Sequence, residues 1–438
     1  MKCEKSMKDS STDKRRLLTQ ALGLLPRCLW LFLCAFHLFC PPGAGSAEIR
    51  YRVVQLMTNE QVGAALSTAT GINRFGDVCG YYEFNGSAES PPIAVPFVYK
   101  DAIELMSLVS SNFISAGASD INDNGQVSLY GTPDNVIFPT YRYTPGVGCE
   151  LLGALYNVGD GAVSHAINSL GQVVGFSDAF NGTRPWQYGF LYTDGIGMTS
   201  IGSLNENAYS SAKDINDIGQ VTGASGGHAF LYTPEAGMVS IGQGAGFAIN
   251  NRGVVAGKVG WRPPYNAAIY RGGTNLVLTP PDLDAEADDI NDYNVVVGLR
   301  FSQYPPEIFV WTEQDGVMGL NEFIEPGWRI SWPGGINDHG QIAAEGYYVP
   351  GNAPSSVAVR LDPIPPKLAI HLGPTNAVVS WAPNWPGLVL ESTESLSVPD
   401  WQPLATGGTN LVSVAASSPL RFFRLNLDGV RGLCCPPQ

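Results

Sequence analysis

An Ile-Asn pair returns seven times along this chain, at 72–73, 121–122, 167–168, 215–216, 249–250, 290–291 and 336–337. No other feature restricts the fold as much. Successive pairs lie 34 to 49 residues apart, a period that belongs to solenoids, propellers and other arrays of supersecondary units. Each copy continues alike. A turn follows, usually with Gly, then a β-rich run such as GDVCGYY (76–82), GQVSLYG (125–131), GQVVGFS (171–177), GQVTGAS (219–225) or GVVAGKV (253–259). An aromatic-rich run comes next, as in PFVYK (96–100), TYRYTP (140–145), GFLYT (189–193), AFLYTP (229–234) and IFVWT (308–312). A short run ending on an aliphatic residue completes the unit, as in GMTSIG (197–202) and GMVSIG (237–242).

Four strand-sized segments per repeat, rich in Val, Ile, Tyr and Phe and divided by Asn, Asp and Gly, describe a small antiparallel sheet. One such sheet cannot bury both faces alone, and radial stacking buries them. Small residues precede most Ile-Asn pairs (ISAGASD at 114–120, SSAKD at 210–214, GAGFA at 244–248), as crowding of inner strands around an axis demands. The seventh repeat has a third strand at 358–363 and no fourth, while YRVVQLM at 51–57 precedes the first repeat without a sheet of its own. The expected fold is therefore all-β: a β-propeller of about seven blades over 48–363, closed by that N-terminal strand so that no edge is left open. The 51 Gly and 32 Pro fit such a turn-rich chain.

The GQVVG runs, and the HAFLYTP…GMVSIG run with its His228, Ala229 and Phe230, resemble the repeats of the extracellular HAF-repeat family over about residues 49–363. The resemblance implies an exported repeat protein of undefined activity. Two copies depart from the pattern: the fifth reads AAIYR (267–271) where the aromatic run belongs, and the sixth has Asn294 in place of the turn Gly.

Export is also written at the N-terminus. Lys14, Arg15 and Arg16 precede an apolar run from Leu29 to Phe39, and Ala-Gly-Ser-Ala at 44–47 offers cleavage after Ala47. Residues 1–47 thus read as a signal peptide, and retention of the apolar run as an anchor is the other reading. A secreted or cell-surface location follows, with no transmembrane span in the mature chain. The net charge of −14 disfavours a phosphate-backbone partner, so no nucleic acid is expected. Cys79 stands where other repeats carry Val or Thr and reads as a small core hydrophobe.

Pro363, Pro365 and Pro366 mark a linker to a second unit at 364–428, followed by a tail at 429–438. Six strand-like runs (368–373, 377–382, 387–395, 401–405, 410–416 and 422–427), with Trp381, Trp401 and a closing FFRL, resemble C-terminal modules of exported bacterial proteins. A small β-sandwich-like module of the fibronectin type is the expected form.

In a repeat protein the recurring residues build the scaffold, so function is sought at slots that vary. Asp120, Asp214 and Asp289 before the Ile-Asn pair, and Asp123, Asp217, Asp292 and Asp338 after it, recur and read as turn and cap residues. Asp120, Asn122, Asn124 and Gly125 open like a calcium loop, but Gly131 stands where that loop needs a bidentate Glu, so no metal is assigned. The slot two before the Ile varies: Thr70, Ser119, His165, Lys213, Phe247 and Asp288. These are ordinary strand positions or, if they project toward one mouth of the channel, a mixed polar ring. His165 and Lys213 could serve as acid or base. Loops around Arg184 with Trp186, and around Trp261 with Arg262, combine basic and aromatic groups suited to sugars or peptides, or to packing between blades. No catalytic residue and no cofactor is assigned. The expectation is a non-catalytic binding or surface-scaffold protein, monomeric, with a glycan or cell-surface component as partner. The alternative is an extracellular propeller enzyme, a polysaccharide hydrolase or lyase with its site at the channel mouth.

Overall fold

The computed structural model describes residues 49–426, apart from 57–62, 86–92, 101, 106–114, 133–138, 156–160, 181–184, 206–207, 261, 303, 351–355, 375, 384, 386–387, 398, 405–409 and 416–420. The expected signal peptide and the C-terminal tail lie outside the described residues. Among those described, every regular element is a β-strand except a 3-10 turn at Leu320–Glu322. The chain divides into two compact units, with the boundary between Pro365 and Pro366.

The larger unit is built from four-stranded antiparallel sheets, one per Ile-Asn repeat. Repeat one pairs Leu66–Ile72, Val78–Phe84, Ile93–Lys100 and Ala102–Leu105 in chain order. Repeats two, three and six, opening on Ser115–Ile121, Ala162–Ile167 and Ala285–Ile290, repeat that order. Repeats four and five join into a seven-stranded sheet because one long strand, Gly237–Ile249, ends the one and begins the other. The cause is length: Asn216 and Asn250 are only 34 residues apart, which leaves no room for a connecting loop. The AAIYR run of repeat five is a genuine third strand, Asn266–Arg271, followed by an exposed fourth, Thr274–Val277. The seventh sheet supplies Trp328–Ile336, Ile342–Tyr348 and Val357–Pro363, and its fourth strand is Tyr51–Gln55, with Val53 opposite Leu361.

A glycine in the second strand explains how the sheets pack. Gly80, Gly175, Gly223 and Gly298 lie opposite Phe97, Phe190, Phe230 and Phe309 of the third strand. A Cβ at any of these glycines would meet both that ring and a carbonyl of the inner strand. The four rings are fully buried. The cores form between neighbouring repeats rather than within them. Cys79 and Val98 of repeat one pack with Ala118, Val127 and Leu129 of repeat two. Val174 and Leu191 of repeat three pack with Val221 and Phe230 of repeat four. Val78 and Phe97 of repeat one share a core with Ala343 and Ala358 of repeat seven.

Among the described residues, the smaller unit has six strands in two three-stranded antiparallel sheets. Asn376–Ala382 is flanked by Lys367–Leu372 and Leu411–Ala415, and Val389–Thr393 by Gln402–Pro403 and Phe422–Asn426. Val379 and Trp381 from one sheet and Leu390 and Phe423 from the other form its core. Glu391, 8% exposed, accepts from Arg424 Nε (2.7 Å) and Asn426 Nδ2 (3.0 Å), so its charge is paired as it is buried.

Candidate functional site

The seven Asn side chains of the Ile-Asn pairs are buried, and each serves two purposes. Inside its own repeat, the Asn168 Oδ1 accepts the backbone N–H groups of Leu170 (3.1 Å) and Gln172 (3.0 Å), which fixes the turn after the inner strand. Its Nδ2 donates to the Gln172 side chain (2.8 Å) and, across to the next repeat, to the Asn216 carbonyl (3.0 Å). The same outward bond runs from Asn73 to Asn122, Asn122 to Asn168, Asn216 to Asn250, Asn250 to Asn291 and Asn291 to Asn337. The last, Asn337, donates to the carbonyl of the first, Asn73, at 3.0 Å.

These inner-strand ends surround a cavity of about 320 Å³. Its wall contains Thr70, Ser119, His165, Lys213, Phe247 and Asp288, the six residues of the variable slot. The backbone gives the reason. In every repeat the pairing of the first and second strands slips by one residue at this slot: between Ala69 and Gly71, Ala118 and Asp120, Ser164 and Ala166, Ala212 and Asp214, Gly246 and Ala248, Ala287 and Asp289, and Pro333 and Gly335. The slot is a β-bulge seven times over. A bulge leaves one residue out of the ladder and re-aims its side chain, here into the cavity. In repeat seven the bulged residue is Gly334, whose missing Cβ would strike the Ala69 carbonyl.

Three of the bulged side chains reach the inner strand of the next repeat. Thr70 Oγ1 donates to the Ala118 carbonyl (3.0 Å), Ser119 Oγ to that of Ser164 (2.8 Å), and His165 Nδ1 to that of Ala212 (2.6 Å). The last contact puts the His165 proton on Nδ1 and leaves Nε2 facing Lys213 Nζ at 3.4 Å. Burial, with the nearby Lys213 ammonium second, lowers His165 to about 4, so the ring is neutral at neutral pH. Burial also lowers Lys213. Asp288 behaves differently. Its Oδ2 is shielded from water and has no hydrogen-bond partner. Burial, then Glu286 and Asp289, push this carboxyl well above the usual range.

The aspartates on either side of the Ile-Asn pairs divide into two sets. Asp123, Asp217, Asp292 and Asp338 lie in the turns and accept backbone N–H groups of the preceding repeat, from Arg74 (3.0 Å), Ser169 (2.8 Å), Asn251 (2.7 Å) and Asp292 (2.9 Å) respectively. Asp120, Asp214 and Asp289 are not turn residues, contrary to the expectation from sequence. Each sits at the end of an inner strand, where one oxygen accepts the N–H of its own following Ile and the other that of the next repeat's Ile: Ile167 (3.1 Å), Ile249 (2.7 Å) and Ile336 (2.7 Å). Burial outweighs those bonds and raises the three to about 7, 8 and 6. Both sets line the cavity.

Of the remaining sequence candidates, one can be placed relative to this wall. Arg262 is exposed and absent from the lining. Arg184 and Trp261, and the side chain of Trp186, lie outside the described residues. Sequence reasoning missed the bridging Asn side chains and the aspartates of the wall, although their repetition was the available signal. Among the described residues no cluster of His, Cys, Asp and Glu has the geometry of a metal site.

No family model matches the chain, and no curated protein does. Among solved structures, one described in an analysis of two prolyl endopeptidases is 11% identical with a TM-score of 0.38, covering 72% of this chain and 55% of that one. The chain thus spans about half the length of that neighbour. The BP39L lectin from Burkholderia pseudomallei is 11% identical with a TM-score of 0.23, covering 82% of this chain and 99% of that one. Scores this low carry no argument about ligand or activity.

Proposed function

We propose that this chain is an exported, non-catalytic binding protein whose seven repeats close into a β-propeller, with a small-ligand site in the cavity on its axis. The supporting observation is the bulge in every repeat. A repeated backbone device presents six side chains to one cavity, two hydroxyls, an imidazole, an ammonium, an aromatic ring and a carboxyl, with Gly334 in the seventh place. Thr70, Ser119 and His165 also join neighbouring repeats, but an ammonium at Lys213, a ring at Phe247 and a carboxyl at Asp288 are a variation that selective recognition uses. Ring closure is supported by the Asn337-to-Asn73 bond, the core shared by repeats one and seven, and the Tyr51–Gln55 strand on the seventh sheet.

Binding is favoured over catalysis because both His165 ring nitrogens are engaged and burial keeps the ring neutral. About 320 Å³ is the size of one sugar residue or a similar polar molecule, which suits the terminus of a glycan or another cell-surface component. The test is a glycan array on the exported chain, repeated with Lys213→Gln and Asp288→Asn. Binding that both variants leave untouched places the ligand elsewhere on the molecule. N-terminal sequencing of the secreted protein checks cleavage after Ala47.

A further inference from the structure

The geometry points to a ligand bearing a primary ammonium group, an amino sugar or small amine, held in the axial cavity by the Asp288 carboxylate. The inference rests on the binding site proposed above and names the chemistry of its occupant.

The first observation is the orphaned oxygen. A buried carboxyl oxygen without a partner keeps its full desolvation cost. Native structures rarely keep one without a use. Asp288 lines the cavity, its Oδ2 has no hydrogen-bond partner, and its carboxyl is held on the other side by the Leu299 backbone N–H. The terminal torsion of Asp is broad, so a small turn of the carboxyl presents an oxygen to a donor in the cavity. The neighbours that oppose the Asp288 charge, Glu286 and Asp289, are themselves anionic, and only Lys258 favours it. Lys258 is already committed to Glu286 at 3.0 Å. These surroundings keep the carboxyl protonated, and it gives up that proton to solvent when a cation arrives in the cavity it lines.

The second observation is the charge of the approach. The turns at the ends of the inner strands carry Asp123, Asp217, Asp292 and Asp338 against Arg74 and Arg252, of which Arg74 lines the cavity, paired with Asp123 at 3.3 Å. Lower on the wall, Asp120, Asp214 and Asp289 add carboxyl groups, and Lys213 is the one lysine. A cleft lined by one sign of charge concentrates ligands of the other sign. Lys213 sits two repeats before Asp288, with Phe247 on the repeat between, so the wall offers an apolar ring beside the acidic pocket. That ring already takes a cation, Lys258 Nζ lying 5.2 Å from its centroid.

The experiment measures binding to the full exported chain with matched probes that differ only in charge: glucosamine, glucose and glucuronate, then 1-aminobutane and 1-butanol. The expected result is calorimetric binding and a raised melting temperature with the amines alone. Asp288→Asn keeps the shape and removes the charge, and it is expected to weaken the amine roughly tenfold to a hundredfold. Lys213→Gln removes the like charge from the wall and is expected to tighten it several-fold. Far-UV circular dichroism and melting without ligand establish that both variants fold. Binding of the neutral or acidic probes in preference to the amines overturns the ammonium assignment and leaves the axial site standing. Amine binding that neither variant changes overturns the assignment to Asp288. Absence of binding by every probe overturns the ammonium assignment too, and the array result then decides the fate of the site itself.

Discussion

Replacing Asn168 by Ala tests whether the recurring Asn is the joint between repeats. The side chain is 3% exposed and uses its full capacity: two N–H donors, to Gln172 Oε1 and the Asn216 carbonyl, and two accepted bonds, from Leu170 and Gln172 N–H. A buried hydrogen bond is worth about 1 kcal/mol net, which gives ~4 kcal/mol for the set. Backbone groups orphaned by the change add to that cost, and water entering from the turn offsets part of it, so a loss of about 3–5 kcal/mol is expected. The adjacent Leu170 is 67% exposed, and Leu170→Ala is the control, with an expected effect within about 0.5 kcal/mol. The assay is urea unfolding, read as a midpoint shift at unchanged slope. Asn337→Ala should cost as much as Asn168→Ala, because its Nδ2 makes the same bond to Asn73 across 264 residues of sequence. A loss below about 1 kcal/mol for Asn168→Ala would refute the joint. Three of the four Asn337 bonds are local, so a loss at Asn337 smaller than that at Asn168 by about 1 kcal/mol, the share of the bond to Asn73, would refute ring closure alone.

Two further outcomes follow from the core and the buried acids. Phe190 is fully buried over Gly175, so Phe190→Ala should destabilise by about 3–5 kcal/mol in the same assay, and a cost under 1 kcal/mol would mean the Phe–Gly pairing is incidental. Asp120, Asp214 and Asp289 have folded pKa values raised to about 7, 8 and 6. The native state therefore holds protons that the unfolded chain has released. Their stabilisation is complete below the ordinary carboxylate range and is lost as pH rises through about 6 to 8. His165, lowered to about 4, acts oppositely: its contribution is present above its ordinary value and lost as pH falls toward 4. Melting temperature at fixed ionic strength should fall from pH 6.5 to 8.5, and Asp214→Asn should flatten that fall. An undiminished slope in the variant would show that Asp214 does not titrate there.

Much of the fold was legible because the repeat carries its own punctuation. The Ile-Asn pair ends the inner strand, the Asx-Gly turn follows from left-handed backbone, and the aromatic run is the buried third strand with Phe190 and its equivalents. The strand at Tyr51 could be assigned to the seventh sheet because that sheet lacked a fourth member and a leading strand lacked a partner. The variable slot could be found by asking which position changed inside a constant frame. The bulge there could not, because an unpaired residue leaves no mark on a pattern of alternation. The bridging of Asn168 to Asn216 was hidden for a related reason. The same side chain does turn work within its own repeat, and that local explanation accounts for its recurrence. The merged strand Gly237–Ile249 was visible only as the shortest spacing. Asp120 was misread because Asn-Asp-rich stretches signal turns, while its actual partner, the Ile167 N–H, lies in the next repeat.

The distribution of those inner aspartates follows from packing between neighbouring repeats. The residue before each Ile reads Gly71, Asp120, Ala166, Asp214, Ala248, Asp289 and Gly335: no two Asp are neighbours. A Cβ on Gly71 would lie 2.7 Å from Asp120 Oδ1, and one on Gly335 would lie 3.1 Å from Asp289 Oδ2. A carboxylate spanning two repeats thus fills the space its neighbour would need, and a second charge there would add repulsion in a buried site. Under that exclusion the proposed closed ring of seven admits three carboxylates at most, and the chain carries three. The odd count forces one junction with small residues on both sides, which falls where Gly335 meets Gly71. Gly71→Ala should therefore destabilise the wild type by about 1–3 kcal/mol through overpacking against Asp120. In an Asp120→Ala background the same change should cost markedly less, since the crowding oxygen is gone. The remaining contacts, Cys79 Sγ at 3.2 Å and the Asp120 Cα at 3.0 Å, keep the relief partial. Strictly additive losses in the double-mutant cycle would show that the two sites do not compete for space, and the alternation would then have no steric cause.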